Sequence, residues 1–496
     1  MQRRNLGEVR RVIISPHVML EKALRLEETG KPAEATAAYE ALLEEWPDLP
    51  DAWYNLARLQ KALGHYEAAL ASYNEALQRN AHSPEEVHLN RGVIFADHLR
   101  RDEDAERALT AALILNPTYV PALLNLANLF EDRGNRARAR ELYAAALAVE
   151  PGNSLALARL AGVSKASDAA DPLIARLRAA VSRPGLPPTD KADLCFALGR
   201  LLDQARAYTS AFAAYSTANR AAREVTTATN PSARYNRARH EAFIGKIIAA
   251  FSSNGSAAAP VQEPPVFICG MFRSGSTLAE QVLAAHPRIT AGGELDIIPQ
   301  LVATRLQPFP EAMAKCDTAT LAGFAQDYHA RLAALFAGAD LVTDKRPDNY
   351  LYIGLIKAMF PTARIIHTVR QPLDTCLSVY FQHLSEDYGC DLGDIGHTFQ
   401  QYRRLMAHWK ALYADDIFDF DYDAFVAEPK PALERLLAFL GLDFDERCLS
   451  FHAQESSVKT ASVWQVREPL YQKSSGRWRA YESELSALKK QLAGLL

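Results

Sequence analysis

The sequence predicts two domains of different class: an N-terminal solenoid of paired α-helices and a C-terminal α/β domain built on a parallel sheet. The first half repeats a helical pattern with a period of 34 residues. The second half alternates short apolar strands with helices, and a glycine-containing loop follows the first strand. At 496 residues the chain also exceeds a single core, because domains usually contain ~100–200 residues.

The N-terminal repeat shows in both spacing and residue type. Helix-turn-helix units are predicted to begin near residues 16, 50, 86 and 120, with one two-residue insertion. The second unit contains Trp53, Leu56, Ala57, Gly64, Tyr66, Ala69, Tyr73 and Ala76. The fourth contains Leu123, Leu126, Ala127, Gly134, Ala139, Tyr143, Ala146 and Pro151. This pattern resembles the tetratricopeptide repeat, which implies a superhelix whose concave face binds a protein or peptide.

The repeats predict where the domains begin and end. A degenerate unit near residues 154–187 and a clearer one near 192–223 extend the repeat domain over residues 16–223. A polar helix and a linker rich in proline and small residues connect the domains over 224–264. The second domain is predicted to cover 265–496.

Strands and helices alternate in that second domain. Strands are predicted at Val266–Cys269, Leu341–Thr343, Ala363–Val369 and Ile417–Tyr422. Helices are predicted at Thr277–Ala285, Tyr350–Phe360, Leu373–His383 and Pro431–Leu440. Apolar strands separated by helices favour a parallel sheet, whose binding site lies beyond the carboxyl ends of the strands.

The loop after the first strand has the spacing of a nucleotide phosphate loop with one residue changed. Gly270, Gly275 and Thr277 match the pattern G-x-x-x-x-G-K-[ST], but Ser276 stands at the lysine position. In a triphosphatase that lysine reaches the β- and γ-phosphates. The loop can still present backbone N–H groups and Arg273 to an anion. It therefore predicts a donor that carries a 5′-phosphate and is not ATP.

Three further groups of polar residues follow strands or the first helix. Arg370 and Ser378 can hold one phosphate from two sides, because arginine offers a planar fork of donors and serine a hydroxyl. Lys345 follows the second predicted strand, and Glu294 lies after two glycines, where a carboxylate is a candidate general base. A late segment, 457–478, is basic, hydroxyl-rich and aromatic.

These motifs, in this order over residues 265–482, resemble the sulfotransferase family, most closely the tyrosylprotein-sulfotransferase-like branch that bacteria fuse to tetratricopeptide repeats. The resemblance implies a P-loop-like α/β fold. It also implies transfer of a sulfuryl group from 3′-phosphoadenosine 5′-phosphosulfate to a hydroxyl acceptor, with adenosine 3′,5′-bisphosphate as product. The repeats then suggest an acceptor on a protein, peptide or polymer.

The resemblance also implies individual roles. The residues expected to bind the donor are Arg273, Ser274, Gly275, Ser276, Thr277, Arg370, Ser378, Tyr422, Ser462 and Lys473. Arg370 and Ser378 match the pair that holds the 3′-phosphate. Arg273 and Lys345 would stabilise the leaving phosphate. Glu294 matches the position of the base, with His367 and His383 as alternatives, because other members of the family use histidine.

Charge and composition argue against several kinds of partner and site. A net charge of −4 gives no global basic field for nucleic acid. Six scattered cysteines without a C-x-x-C pair favour reduced thiols in a cytoplasm and argue against zinc, and no metal is expected. No segment approaches a signal sequence or a membrane span. A homo-oligomer is possible. The rival interpretations are a nucleotide kinase or triphosphatase, and a non-catalytic scaffold.

Overall fold

The computed structural model of the chain describes residues 15–252, 264–384, 387–453 and 475–496. It consists of two compact units: the chain up to Phe130 with Ala137–Pro151, and Glu131–Arg136 with Gly152–Leu496. Helical repeats followed by a parallel-sheet domain confirm the predicted fold class. The domain boundaries expected near residues 223 and 264 differ from the division between the units and stay a prediction. Within the described ranges, every helix is too short or too polar to span a bilayer.

Paired helices occupy the region of the first unit. They are α1 Pro16–Glu28, α2 Pro32–Glu45, α3 Pro50–Ala62, α4 Tyr66–Gln78, α5 Pro84–Val93, α6 Asp102–Leu115, α7 Val120–Asp132 and α8 Arg136–Val149. Proline opens α1, α2, α3 and α5, where its missing N–H costs no hydrogen bond and its fixed φ suits a helix. The first helices of the four pairs, α1, α3, α5 and α7, begin within two residues of the starts predicted from the repeat.

Equivalent positions in the repeats play equivalent structural roles. The turn inside each pair needs a left-handed residue, which is Gly30, Gly64 or Gly134 in three units and Arg100 in the other. The second helices bury Tyr39, Tyr73, Leu109 and Tyr143 at matching positions. The predicted start near residue 86 places the two-residue insertion in the second unit, but α3, α5 and α7 begin at Pro50, Pro84 and Val120, which places it in the third. There α5 continues as a π-helix, Ile94–His98, which absorbs extra residues without ending the helix.

Five more helices precede the sheet: α9 Ser154–Val163, α10 Pro172–Val181, α11 Pro188–Gln204, α12 Tyr208–Thr229 and α13 Arg237–Ala250. The pair α11 and α12 covers the region where the sequence predicts the clearer of the two later repeats, near 192–223. The Asn236 side chain caps α13 by accepting a hydrogen bond from the N–H of Arg239 at 2.9 Å.

A five-stranded parallel sheet has the strand order β2-β3-β1-β4-β5. Its strands are β1 Val266–Gly270, β2 Ile289–Thr290, β3 Leu341–Lys345, β4 Ile365–Val369 and β5 Ile417–Asp421. Strand β1 lies at the centre, with Ile268 opposite Lys345 of β3 and Gly270 opposite Thr368 of β4. The carboxyl ends of the three central strands therefore meet at one edge.

Helices flank this sheet: α14 Ser276–Ala284, α15 Ile297–Arg305, α16 Thr318–Leu335, α17 Ile353–Met359, α18 Pro372–Tyr380, α19 Leu392–Leu412, α20 Tyr422–Ala427, α21 Pro429–Phe439 and α22 Ser486–Gln491. All four predicted strands and helices exist. Strand β3 runs two residues further than predicted, so Lys345 ends the strand instead of following it. The predicted helix from Tyr350 is a 3₁₀ turn, Pro347–Leu351, followed by α17. Six further elements were not predicted from the sequence: β2, α15, α16, α19, α20 and α22.

Helices α11–α13 pack directly on the α/β part of the second unit. The Tyr215 ring of α12 stacks on Phe381 with centroids 3.9 Å apart. Asn219, on the same helix and buried, donates to the backbone oxygen of Tyr380 at 2.9 Å. Phe251, just beyond α13, meets the buried Trp409 edge-on at 5.7 Å. These three contacts make the last repeat pair and α13 a part of the core of the second unit.

This packing predicts where a truncated chain stops folding. A chain of residues 152–496 should unfold cooperatively, whereas a chain of residues 265–496 should not fold. The shorter chain uncovers the buried rings of Phe381 and Trp409, which Tyr215 and Phe251 cover in the longer one. Burial of one large apolar side chain stabilises by about 1.5–3 kcal/mol. The combined loss for the two rings approaches the whole stability of a domain, about 5–15 kcal/mol.

Thermal and urea unfolding followed by circular dichroism would measure this difference, with the 152–496 chain as the control. Cooperative unfolding of both chains at the same temperature would contradict the expectation. It would place a folding boundary at residue 265 instead.

Candidate functional site

The loop between β1 and α14 has a glycine at each end, where the surrounding atoms leave no room for a side chain. A Cβ on Gly270, whose φ is 157°, would lie 2.4 Å from the Oγ1 of Thr368. A Cβ on Gly275, whose φ is 105°, would lie 2.7 Å from the Tyr422 ring. Gly275 is also the N-cap of α14. The loop therefore turns tightly into a helix N-terminus, as a phosphate-binding loop does.

The loop is held by its own serine. The Ser274 hydroxyl donates to the backbone oxygen of Met271 at 2.6 Å and lies 2.7 Å from the Thr368 hydroxyl. The Ser274 amide also donates to the Met271 oxygen, at 3.1 Å. Both groups of Ser274 thus shape the loop, and the expected contact of Ser274 with a donor stays a prediction. Ser276 and Thr277 are buried in the first turn of α14.

Two arginines meet beside the loop. The Nε of Arg273 donates to the Ser378 hydroxyl of α18 at 3.0 Å. Arg370, which directly follows β4, donates from Nη1 to the backbone oxygen of Arg273 at 3.1 Å. Its guanidinium carbon lies 4.7 Å from the centre of the Tyr422 ring. Arg273, Arg370, Ser378 and Tyr422 were all predicted from distant parts of the sequence, and the fold brings them together.

An ion pair occupies the neighbouring strand end. The fully buried Lys345 ends β3 and donates from Nζ to Oε1 of Glu294 at 2.7 Å. The Glu294 side chain is 41% exposed, so its carboxylate has one side toward the lysine and another open to solvent. The backbone amide of Lys345 donates to the oxygen of Gly293 at 3.0 Å, which holds the turn that precedes Glu294 against the strand. A carboxylate in this position can accept a proton from a molecule outside.

Two buried carboxyls behind this pair were missed in the sequence. Asp344 accepts hydrogen bonds from the Tyr328 hydroxyl at 2.7 Å and from Asn349 at 3.1 Å. Burial raises the pKa of Asp344 to about 7, although these bonds lower it. Glu280 of α14 is also buried, and burial raises the pKa of its carboxyl too. One signal was visible: Glu280 and Asp344 are acids inside otherwise apolar segments.

The two alternative bases lie in other surroundings. The Nδ1 of the buried His367 is 2.7 Å from Asp419, and its Nε2 contacts the Tyr402 hydroxyl. Burial lowers the pKa of His367, so the neutral ring is favoured. His383 pairs with Asp193 of α11 at 2.9 Å and stacks on Phe196. Neither histidine joins the Glu294–Lys345 pair. Ser462 and Lys473 lie outside the described residues.

Comparisons with known proteins identify two kinds of domain in the chain. Residues 264–446 match the sulfotransferase family, and residues 26–89 and 122–155 match the tetratricopeptide repeat. The chain therefore carries a sulfotransferase-family domain preceded by tetratricopeptide repeats, as the resemblance predicted.

Individual relatives are distant. An uncharacterised protein of Aquifex aeolicus is 30% identical over 416 residues, which are 80% of this chain and 52% of that protein. Protein-tyrosine sulfotransferase A of Caenorhabditis elegans is 23% identical over 223 residues, 41% of this chain and 56% of the relative. The sulfotransferase domain of the Synechococcus PCC 7002 olefin synthase is 22% identical, with a TM-score of 0.35, over 45% of this chain and 89% of that domain. The chain spans about half the length of the first two proteins.

Proposed function

We propose that the protein transfers a sulfuryl group from 3′-phosphoadenosine 5′-phosphosulfate to a hydroxyl acceptor. The observation that carries this proposal is the meeting of Arg273, Arg370 and Ser378 beside a phosphate loop without its lysine. The loop suits the 5′-phosphosulfate, and Arg370 with Ser378 suits the separate 3′-phosphate. ATP has no 3′-phosphate to occupy that second position.

The adenine would lie near Tyr422. The Tyr422 ring lies against the Arg370 guanidinium, and an aromatic ring of this kind can also stack with a purine. The N–H groups at the start of α14 point toward the loop and favour an anion there. These groups are neighbours because β1 and β4 are paired. The predicted contacts of Ser462 and Lys473 with the donor remain part of the proposal.

In the proposed reaction, the sulfur–oxygen bond to the donor phosphate breaks as a bond to the acceptor oxygen forms. Negative charge then grows on the leaving phosphate oxygen, and Arg273 and Lys345 would stabilise it. Glu294 would take the proton that the acceptor hydroxyl loses. The Lys345 side chain is fully buried, so its charge acts at low dielectric, where such an interaction is stronger than in water.

The acceptor in this proposal is a hydroxyl on a protein, peptide or polymer that the repeats recruit. The matches to tetratricopeptide repeats support a protein partner. A kinase or triphosphatase is disfavoured by Ser276 at the lysine position, and a non-catalytic scaffold by the solvent-open Glu294 paired with Lys345. The cytoplasmic location, the absence of a metal requirement and possible self-association stay predictions.

The 3′-phosphate assignment can be tested by binding. Arg370→Ala should weaken adenosine 3′,5′-bisphosphate by roughly 10- to 100-fold, because a charge-assisted hydrogen bond contributes about 1.5–3 kcal/mol. Adenosine 5′-phosphate, which lacks the 3′-phosphate, should bind the variant as well as it binds the parent chain. Isothermal titration calorimetry gives both dissociation constants.

Arg364→Ala is the matched control for this test. Arg364 precedes the opposite end of β4 and pairs with Asp416, so its loss should leave both affinities unchanged. An equal loss for both nucleotides in Arg370→Ala would refute the 3′-phosphate assignment. Tighter binding of ATP than of the bisphosphate would refute the donor.

The role of Glu294 can be tested by kinetics. Glu294→Gln should lower kcat by ~10²–10⁴-fold, the usual contribution of a general base, and leave donor affinity unchanged. Asp296→Asn is the control, because Asp296 is a more exposed carboxylate two residues along the same loop. Unchanged turnover in Glu294→Gln would assign the base elsewhere, with His367 and His383 the next residues to replace.

The recruiting role of the repeats can be tested with residues 152–496. This chain should transfer to a small phenol with the kcat/KM of the full chain. Its kcat/KM on the large natural acceptor should fall, because the helices α1–α8 are missing. Equal bisphosphate affinity of the two chains is the control for folding. If both chains handle the large acceptor equally well, the repeats do not recruit it.

A further inference from the structure

The turn that carries Glu294 is tied to the helix of the phosphate loop through one buried carboxylate. Oε1 of Glu280, on α14, accepts the N–H of Gly293 at 2.8 Å and the hydroxyl of Thr343 at 2.8 Å. The hydroxyl oxygen of Thr343 in turn accepts a hydrogen bond from the N–H of Gly292 at 3.0 Å. Three hydrogen bonds thus connect two buried side chains, Glu280 and Thr343, to each other and to the two N–H groups of the turn.

The turn has no room for a side chain at Gly292 and needs a left-handed residue at Gly293. A Cβ on Gly292 would lie 1.9 Å from the backbone oxygen of Thr343, and Gly293 has a left-handed φ of 66°. The turn therefore presses its bare backbone on β3, and its two N–H groups face inward. Buried N–H groups need acceptors, and Thr343 and Glu280 supply them.

Burying a carboxylate for this purpose is costly, and the surroundings reduce the cost. Burial raises the pKa of Glu280, whereas Lys345 and the hydrogen bonds from Thr343 and Gly293 lower it. Glu294 acts in the opposite direction, as a neighbouring negative charge. Glu280, Glu294 and Lys345 thus form a cluster of three interacting ionisable side chains around the turn.

We propose that Glu280 and Thr343 are positioning residues that hold the Gly292–Gly293 turn, and so set the place of Glu294 relative to the phosphate loop. This inference rests on the proposed function and extends it to two residues that touch no substrate. Glu280 lies on the helix that begins at the phosphate loop, whereas the turn carries the base. The hydrogen bonds of Glu280 and Thr343, called the tie below, therefore connect the donor side of the site to the acceptor side.

Replacement of Thr343 separates positioning from binding. Thr343→Val keeps the shape of the side chain and removes the hydroxyl, whereas Thr343→Ser keeps the hydroxyl. We expect Thr343→Val to lower kcat by up to ~10²-fold, since a displacement of about 1 Å can have that effect. Its affinity for adenosine 3′,5′-bisphosphate should change less than about twofold, well below one hydrogen bond. Thr343→Ser should restore kcat.

Hydrogen exchange gives a readout that does not depend on turnover. In Thr343→Val, mass spectrometry should find faster deuterium uptake in the peptide that contains Gly292 and Gly293. A second pair of variants repeats the test from the other side. Glu280→Gln keeps an acceptor oxygen and should protect these amides, whereas Glu280→Leu removes it and should not.

The outcomes distinguish this inference from the proposed function. Slow exchange in both Thr343→Val and Glu280→Leu would refute the tie. Fast exchange with normal kcat would refute its role in positioning, and so would a loss of bisphosphate affinity as large as the loss of kcat. If the parent chain transfers no sulfuryl group, the proposed function fails together with the catalytic role, and the exchange measurements alone decide the tie.

Discussion

The parallel pairing of β1 with β3 and β4 is the constraint on which the rest of the site depends. It places Gly270, Lys345 and Arg370 at one edge of the sheet, although they are far apart in the chain. The backbone hydrogen bonds between the paired strands fix this register, so the relative positions of the strand ends do not depend on the loops. The phosphate loop, the buried lysine and the second arginine follow from strand ends that cannot slide independently.

The second feature of the site is the number of ionisable side chains that it buries. Lys345, Asp344 and Glu280 are all buried within the sheet and the helix next to it. A lone buried charge is strongly unfavourable, and each of these has partners that offset part of the penalty. Lys345 has Glu294, Asp344 has Tyr328 and Asn349, and Glu280 has the turn. Side chains held in this way lose little further freedom when a ligand binds, which favours catalysis by preorganised charge.

The boundary between repeats and catalytic fold is a third feature. Helices α11 and α12 continue the helical pattern of the repeats, yet α12 packs its Tyr215 on Phe381 of the α/β part, and Phe251 beyond α13 packs on Trp409. Near the C-terminus, Arg477 and Tyr481 both bind Asp203 of α11, while the N–H groups of Gly476 and Trp478 donate to Asp374 of α18. The described C-terminal segment thus connects the last repeat pair to the helix that also carries Ser378.

The sequence by itself determined the elements whose signals are local. Helix pairs follow from a 34-residue period with glycine and proline at fixed places, and the phosphate loop follows from glycine spacing, because both depend on neighbouring residues. Even Glu294, Lys345, Arg273 and Arg370 could be chosen as candidates. Tertiary structure alone decided that Lys345 is buried against Glu294, that His367 is occupied by Asp419 and Tyr402, and that Glu280 holds the Gly292–Gly293 turn. Each of these facts joins residues from segments that are far apart in the sequence, and the pairing of the strands and the packing of the helices on them determine which residues meet.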